Sequence, residues 1–245
     1  MVSSVGIVFV GRSNREKRSE VFPKLAEALA DGRFSVMSFV PARVQVLDQI
    51  DERLARLAPR IAASAGPRHR LHHRIMRFVV KAAMVVWTKP HWDFVAASFR
   101  PKPFTVAREL DRFLERAPFA RVHLITHSAG GISATKIAAN PKIASICCFG
   151  YPFMHPRSGP ESYRTRHLAS TTKPLLIVQG RSDEYAPAPT DLNAMLPAHA
   201  AVIAVDCDHD YAEIPDTQFE AVLRALRALV AEPAGEPMLQ PTHSA

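Results

Sequence analysis

The chain has 245 residues, 47% of them hydrophobic and 22% charged, an ordinary globular composition that excludes collagen-like and low-complexity architectures. Its 31 Lys/Arg exceed its 23 Asp/Glu for a net charge of +8, yet residues 41–118 alone hold 15 of the basic and 7 of the acidic residues. The whole excess therefore lies in one middle segment, which does not describe a general nucleic-acid binder, and no nucleic-acid partner is expected.

Taken in chain order, Val5 to Val10 (VGIVFV) is a β-branched apolar run ending at Gly11 and predicts a buried strand. Ser19 to Ala30 carries Val21, Phe22, Leu25, Ala28 and Leu29 at helical spacing and is closed by Asp31-Gly32. Phe34–Val40 predicts a second strand, ended by Pro41. Residues 41–118 then read as a helical, cap-like insert. Its first helix runs from Val46 to Ala65, broken by Pro59 and stopped by Gly66-Pro67; its second runs from Arg68 to Thr88; its third runs from Phe104 to Arg116. In the second, Arg70, Arg74, Arg77 and Lys81 form a narrow basic stripe, with Ile75, Phe78, Val79, Ala82 and Val86 on the other side.

Regular alternation returns with a strand at Arg121–Thr126, a helix from Gly131 to Ala139 and a strand at Ile143–Phe149. After a long loop come a strand at Pro174–Val178, a short helix from Asp191 to Leu196, a strand at Ala201–Val205 and a helix from Asp216 to Val230. Residues 1–230 thus read as a single domain with 41–118 inserted, and the Pro-rich residues 231–245 as a frayed tail. Continuous apolar strands alternating with helices predict a three-layer α/β/α fold around a mostly parallel, doubly wound sheet. Ligands bind such sheets at the carboxyl ends of the strands, so chemistry is expected just after Gly11, Thr126, Val178 and Val205.

After Thr126 comes His127-Ser128-Ala129-Gly130-Gly131, similar to the strand–turn–helix elbow G-x-S-x-G with Thr126 at the first glycine. Such a turn lifts a serine hydroxyl above the sheet and aims a helix N-terminus at it. The same residues also suit a plain N-cap at Ser128. After Val178 comes Asp183, and after Val205 comes Asp206-Cys207-Asp208-His209-Asp210. Ser128, Asp183 and His209 therefore follow three strand ends in the order nucleophile, acid, base. Glu184, Asp206 and Asp208 are rival partners for His209. The D-C-D-H-D run is too tight for a standard metal site and has no second His cluster beside it, so no metal and no cofactor are expected.

These features resemble the α/β-hydrolase superfamily. The run Phe149-Gly150-Tyr151-Pro152-Phe153, His155-Pro156, His167-Leu168, then Lys173 through Gly180 to Asp183, is similar to the dienelactone-hydrolase-like branch, within it to the group of testis-expressed and NSL-complex-related proteins. The resemblance covers 121–215 well, 5–40 in outline and 41–118 hardly at all. It implies Ser128 as nucleophile, His209 as general base and Asp183 as the acid that orients it. It also implies the Ala129 N–H as one oxyanion donor, with a second from the loop around Arg12 or Ser13. That loop is usually His-Gly-rich in the family and here reads Val10-Gly11-Arg12-Ser13-Asn14, where only Gly11 fits. Dienelactone hydrolases use a Cys nucleophile where this chain has Ser128. His127, Tyr151 and Tyr163 are candidate substrate contacts, with Arg164 and Arg166 nearby for an anionic group.

Cys147, Cys148 and Cys207 form no C-x-x-C pair and suit a reducing compartment. No stretch reads as a secretory leader or a spanning helix, so a cytoplasmic protein is expected. Two functions follow. One is a serine hydrolase that cleaves an ester or thioester of a small-molecule acyl substrate through an acyl-enzyme. The other is a non-catalytic scaffold that binds a partner or an anionic membrane surface through the insert, with 68–88 as the peripheral contact.

Overall fold

A computed structural model describes residues 5–11, 19–30, 34–59, 75–76, 78–80, 82–83 and 102–231. The chain divides into two compact units, one of residues 1–39 with 110–245 and one of residues 40–109.

The first unit is built on a six-stranded sheet. Its strands are β1 (Val5–Val10), β2 (Ser35–Phe39), β3 (Arg121–His127), β4 (Ile143–Phe149), β7 (Leu175–Gly180) and β8 (Ala201–Val205), in the order β2-β1-β3-β4-β7-β8. Every neighbouring pair in it is parallel. The order reverses at β1, whose neighbours are β2 on one side and β3 on the other, so a crevice opens at the carboxyl ends of β1 and β3. Between β4 and β7 the strands β5 (Met154–His155) and β6 (Gly159–Pro160) form a small antiparallel hairpin where the sequence predicted only loop.

Helices cover both faces, as the continuous apolar strands require. On one face α1 (Val21–Leu29) and α7 (Asp216–Ala231) bury Val21, Leu25, Leu29, Val222, Leu223 and Leu226 against Ile7, Phe9, Ile125, Cys147, Phe149 and Val178. On the other lie α4 (Ala129–Lys136) and residues 110–116 of α3 (Lys102–Arg116). There Phe113 meets Phe39 with ring centroids 5.4 Å apart, and Asn140 Nδ2 donates to Asp111 Oδ1 at 2.7 Å. The remaining helices of this unit are short: α5 (Ser162–Thr165), a 3-10 turn at Leu168–Ser170, and α6 (Pro189–Met195).

The second unit holds α2 (Ala42–Leu57), with Ile50 and Leu54 fully buried, and the first part of α3. The helix begins four residues before the expected Val46. Pro41 ends the strand and also opens the helix, its carbonyl accepting from Val44 N and Gln45 N at 2.8 and 3.1 Å. It stops before Pro59, with Ala58 pushed out of the helical region at φ −143°. Ala42 N–H donates to Glu109 Oε2 at 2.9 Å. Residues 75–76, 78–80 and 82–83 are helical. The basic residues Arg70, Arg74, Arg77 and Lys81 lie outside the described residues, as does the tail beyond Ala231. Among the described residues no helix is long and apolar enough to cross a membrane.

Candidate active site

Three strand ends of the first unit converge. Ser128 follows β3 in a left-handed conformation, φ 53° and ψ −124°, that a residue with a Cβ adopts only where the surroundings enforce it. Its N–H donates to Phe149 O at 3.0 Å, fixing the turn to β4, while its carbonyl accepts from Gly131 N at 2.9 Å. The helix that starts at Ala129 must pass close to the end of β1. A Cβ on Gly130 would overlap the Val10 carbonyl oxygen, so only glycine fits there. Thr126, where the elbow motif has glycine, is accommodated because Gly131 faces it: a Cβ on Gly131 would sit 3.3 Å from Thr126 Oγ1 and 2.9 Å from the Tyr151 ring.

Ser128 Oγ lies 2.8 Å from His209 Nε2. On the opposite ring edge His209 Nδ1 lies 2.9 Å from both Asp183 Oδ1 and Asp183 Oδ2. A carboxylate there makes Nδ1 the donor, which leaves Nε2 free to accept the serine proton. The Asp183 side chain is fully buried and that of His209 is 13% exposed. Two more N–H groups converge on the carboxylate: Tyr185 N donates to Oδ1 at 2.8 Å and Gln179 Nε2 to Oδ2 at 2.6 Å.

The rivals for His209 are engaged elsewhere or face outward. Asp206 pairs with Arg181 Nη1 at 2.6 Å, which holds its carboxyl below the usual range. Asp208 Oδ1 accepts from Asp210 N at 2.9 Å, and Glu184 is exposed. The rest of the D-C-D-H-D run is thus turn chemistry around one histidine.

The loop carrying His209 is anchored from three sides. His127 Nε2–H donates to the His209 carbonyl at 3.0 Å, its ring stacked on Phe22 at 5.0 Å. Tyr211, buried and at φ 52°, donates its hydroxyl to Val178 O at 2.7 Å and accepts from Gly180 N at 2.8 Å. The Tyr185 ring lies over the imidazole, centroids 4.3 Å apart and planes at 35°. Gly150 closes the floor at φ +55°; a Cβ there would lie 2.8 Å from the Tyr211 ring and 3.3 Å from His209 Nδ1.

Of the other sequence candidates, Ala129 is exposed at the first position of α4, where helix N–H groups have no partner within the helix. Arg12 and Ser13 lie outside the described residues. His127 is 4% exposed and serves the His209 loop. Tyr151 is fully buried, its hydroxyl donating to the Arg164 carbonyl. Tyr163 is 38% exposed, beside Glu161 Oε2 and with Lys136 Nζ 5.6 Å over its ring. Arg164 is held by Glu161 at 2.6 Å, and Arg166 is exposed. Sequence reasoning did not single out Gln179, Tyr185 or Tyr211. Gln179 stood inside the stretch from Lys173 to Gly180, and Tyr185 two residues after the acid, where a backbone N–H turns back on its carboxylate.

A family model described as an alpha/beta hydrolase domain matches residues 104–230, just over half of the chain. No curated protein sequence matches it. Solved structures share the fold: the esterase domain of a Rhodothermus marinus protein, at 14% identity and a TM-score of 0.52, over 93% of this chain and 86% of that one. A thioesterase domain from the curacin biosynthetic pathway matches at 14% identity and a TM-score of 0.54, over 94% and 91%. The mouse alpha/beta hydrolase domain-containing protein 10 matches at 11% identity and a TM-score of 0.52, over 92% and 89%.

Proposed function

Because the chain belongs to the alpha/beta hydrolase domain family, we propose that it is a serine hydrolase that cleaves an ester or thioester through an acyl-enzyme. One observation carries the reading: an unbroken hydrogen-bonded line from Ser128 Oγ through His209 to the buried Asp183. In this mechanism Ser128 Oγ attacks the acyl carbonyl as His209 Nε2 takes its proton. Asp183 holds the ring in the Nδ1–H tautomer and offsets the charge of the imidazolium. The Ala129 N–H stabilises the oxyanion, with a second donor from the loop after β1, around Arg12. Collapse of the tetrahedral intermediate breaks the bond to the leaving group, which takes the proton from His209. Water, deprotonated by the same histidine, then releases the acid and frees Ser128.

An esterase domain and a thioesterase domain among the structural neighbours support this substrate class. The Phe149-to-Asp183 run supports a place in the dienelactone-hydrolase-like branch. The buried free thiols Cys147 and Cys148 support a reducing, cytoplasmic setting. The test is labelling with a fluorophosphonate probe, wild type beside Ser128→Ala and His209→Ala. Labelling that disappears in both variants is expected, followed by turnover in a panel of esters and thioesters. A folded wild type that fails to label overturns the reading.

A second reading concerns the insert. Ile75, Met76, Phe78 and Val79 are each 51–73% exposed in the second unit, close in sequence to Arg70, Arg74, Arg77 and Lys81. An exposed apolar stretch beside a basic one suits an anionic lipid surface. Co-sedimentation with phosphatidylserine vesicles is expected to fall when the four basic residues are changed to alanine and to be unaffected by Ser128→Ala. Unchanged binding of the four-residue variant removes this reading.

A further inference from the structure

The proposed mechanism leaves one face of the imidazole unexplained. His209 becomes a cation when it accepts the serine proton, and its surroundings decide what that charge costs. From the end of β3 and the turn after it, it faces the His127 ring at 5.9 Å and Ser128 Oγ at 2.8 Å; from the loop after β7 it faces the Asp183 carboxylate and the Tyr185 ring. Asp208 and Asp210 flank it in sequence, Asp208 exposed and Asp210 half-buried. Of these groups only Tyr185 presents an aromatic face at stacking distance, 4.3 Å between centroids. The negative face of an aromatic ring attracts a cation within about 6 Å of its centroid.

Tyr185 is held in that place from both ends. Its N–H donates to Asp183 Oδ1 at 2.8 Å, and its carbonyl accepts from Met154 N at 3.1 Å, which hooks the β5–β6 hairpin to the acid loop. The His155 ring meets it nearly edge-on, at 6.2 Å and 83°. The ring thus touches both His155 and the imidazole of His209.

Resting on the hydrolase reading above, we propose that Tyr185 is a positioning residue for acyl transfer: its ring covers one face of His209 and stabilises the imidazolium formed as Ser128 loses its proton. The contact with Asp183 comes from the Tyr185 backbone, so side-chain substitutions leave that donor in place and isolate the ring.

The experiment is the rate of fluorophosphonate labelling against pH for wild type, Tyr185→Phe, Tyr185→Leu and Tyr185→Met, each checked for folding by circular dichroism. The conservative variant Tyr185→Phe keeps the aromatic face, and its profile is expected to follow wild type. In Tyr185→Leu the plateau rate is expected to fall about 3- to 10-fold and the acid limb to move down by about 0.5 to 1 pH unit, the size of an exposed to partly buried ring–cation contact. Tyr185→Met fills the space without an aromatic face and is expected to behave like Tyr185→Leu, which keeps the test intact if the leucine variant fails to fold. A limb that stays in place in the folded Leu or Met variant overturns the proposal, as does a Phe variant as slow as they are. A wild type that labels with unmoved variant limbs sinks only the role of Tyr185, whereas a wild type that does not label sinks the hydrolase reading itself.

Discussion

Asp183 receives N–H groups from Tyr185, Gln179 and His209, so every oxygen of its carboxylate accepts. Asp183→Asn would turn one of those acceptors into an NH2 that clashes with a donor, favouring the wrong imidazole tautomer. The expected result is a fold that survives with a labelling rate about 10⁴-fold lower. Tyr211 acts differently, through two buried backbone groups of β7. Tyr211→Phe leaves the Val178 carbonyl and the Gly180 N–H without that hydroxyl. A loss of about 1–3 kcal/mol in urea unfolding is expected, with an unchanged m-value. Equal stability in the two proteins would contradict the anchoring role.

The element that matters most is the β3–α4 turn. Gly130→Val would drive a side chain into the Val10 carbonyl, so α4 would have to swing away from β1 and carry Ser128 off His209. Loss of labelling together with a destabilisation of about 1–3 kcal/mol is expected for that variant. This turn also shows what a sequence makes legible. Ser128, Asp183 and His209 could be named because each follows a strand end in an order a parallel sheet brings together. The sheet itself was readable from unbroken apolar runs such as Ile143–Phe149 and Ala201–Val205. Thr126 looked like a departure from the motif, and its compensation by Gly131 became visible only once their separation in space was known. Tyr211 meets Val178 and Gly180 across more than thirty residues, a pairing that no local period encodes. Tyr151 looked like a substrate contact from its motif, but its hydroxyl is spent on the Arg164 carbonyl. The hairpin at Met154–Pro160 escaped because two-residue strands carry no alternation to read.

At the scale of the whole molecule, two histidines link stability to pH. Burial, with Arg121 adding to it, pushes His123 down to about 4, and its Nδ1 sits 2.7 Å from Ser145 Oγ. Burial, with Lys136 adding to it, pushes His167 down to about 4 as well. The unfolded chain binds these protons near pH 6.5 and the native one only near 4, so the contribution of these two groups to stability is full above about 6.5 and is lost as pH falls to about 4. His123 alone is worth on the order of 3 kcal/mol across that window. A His123→Gln variant is expected to show a shallower fall of urea midpoint between pH 6.5 and 4; a wild-type midpoint that is flat there would refute the linkage. The strand order carries a last consequence, for synthesis on the ribosome. β2 emerges soon after β1, but β3, its other neighbour in the sheet, follows only once residues 40–120 have emerged. At 5–20 residues per second that interval is roughly 4–16 s, during which Val5–Val10 offers a bare apolar edge to any passing strand. A fragment ending at residue 118 leaves that edge of β1 unpaired and is therefore expected in the insoluble fraction where the chain through Ala231 is not.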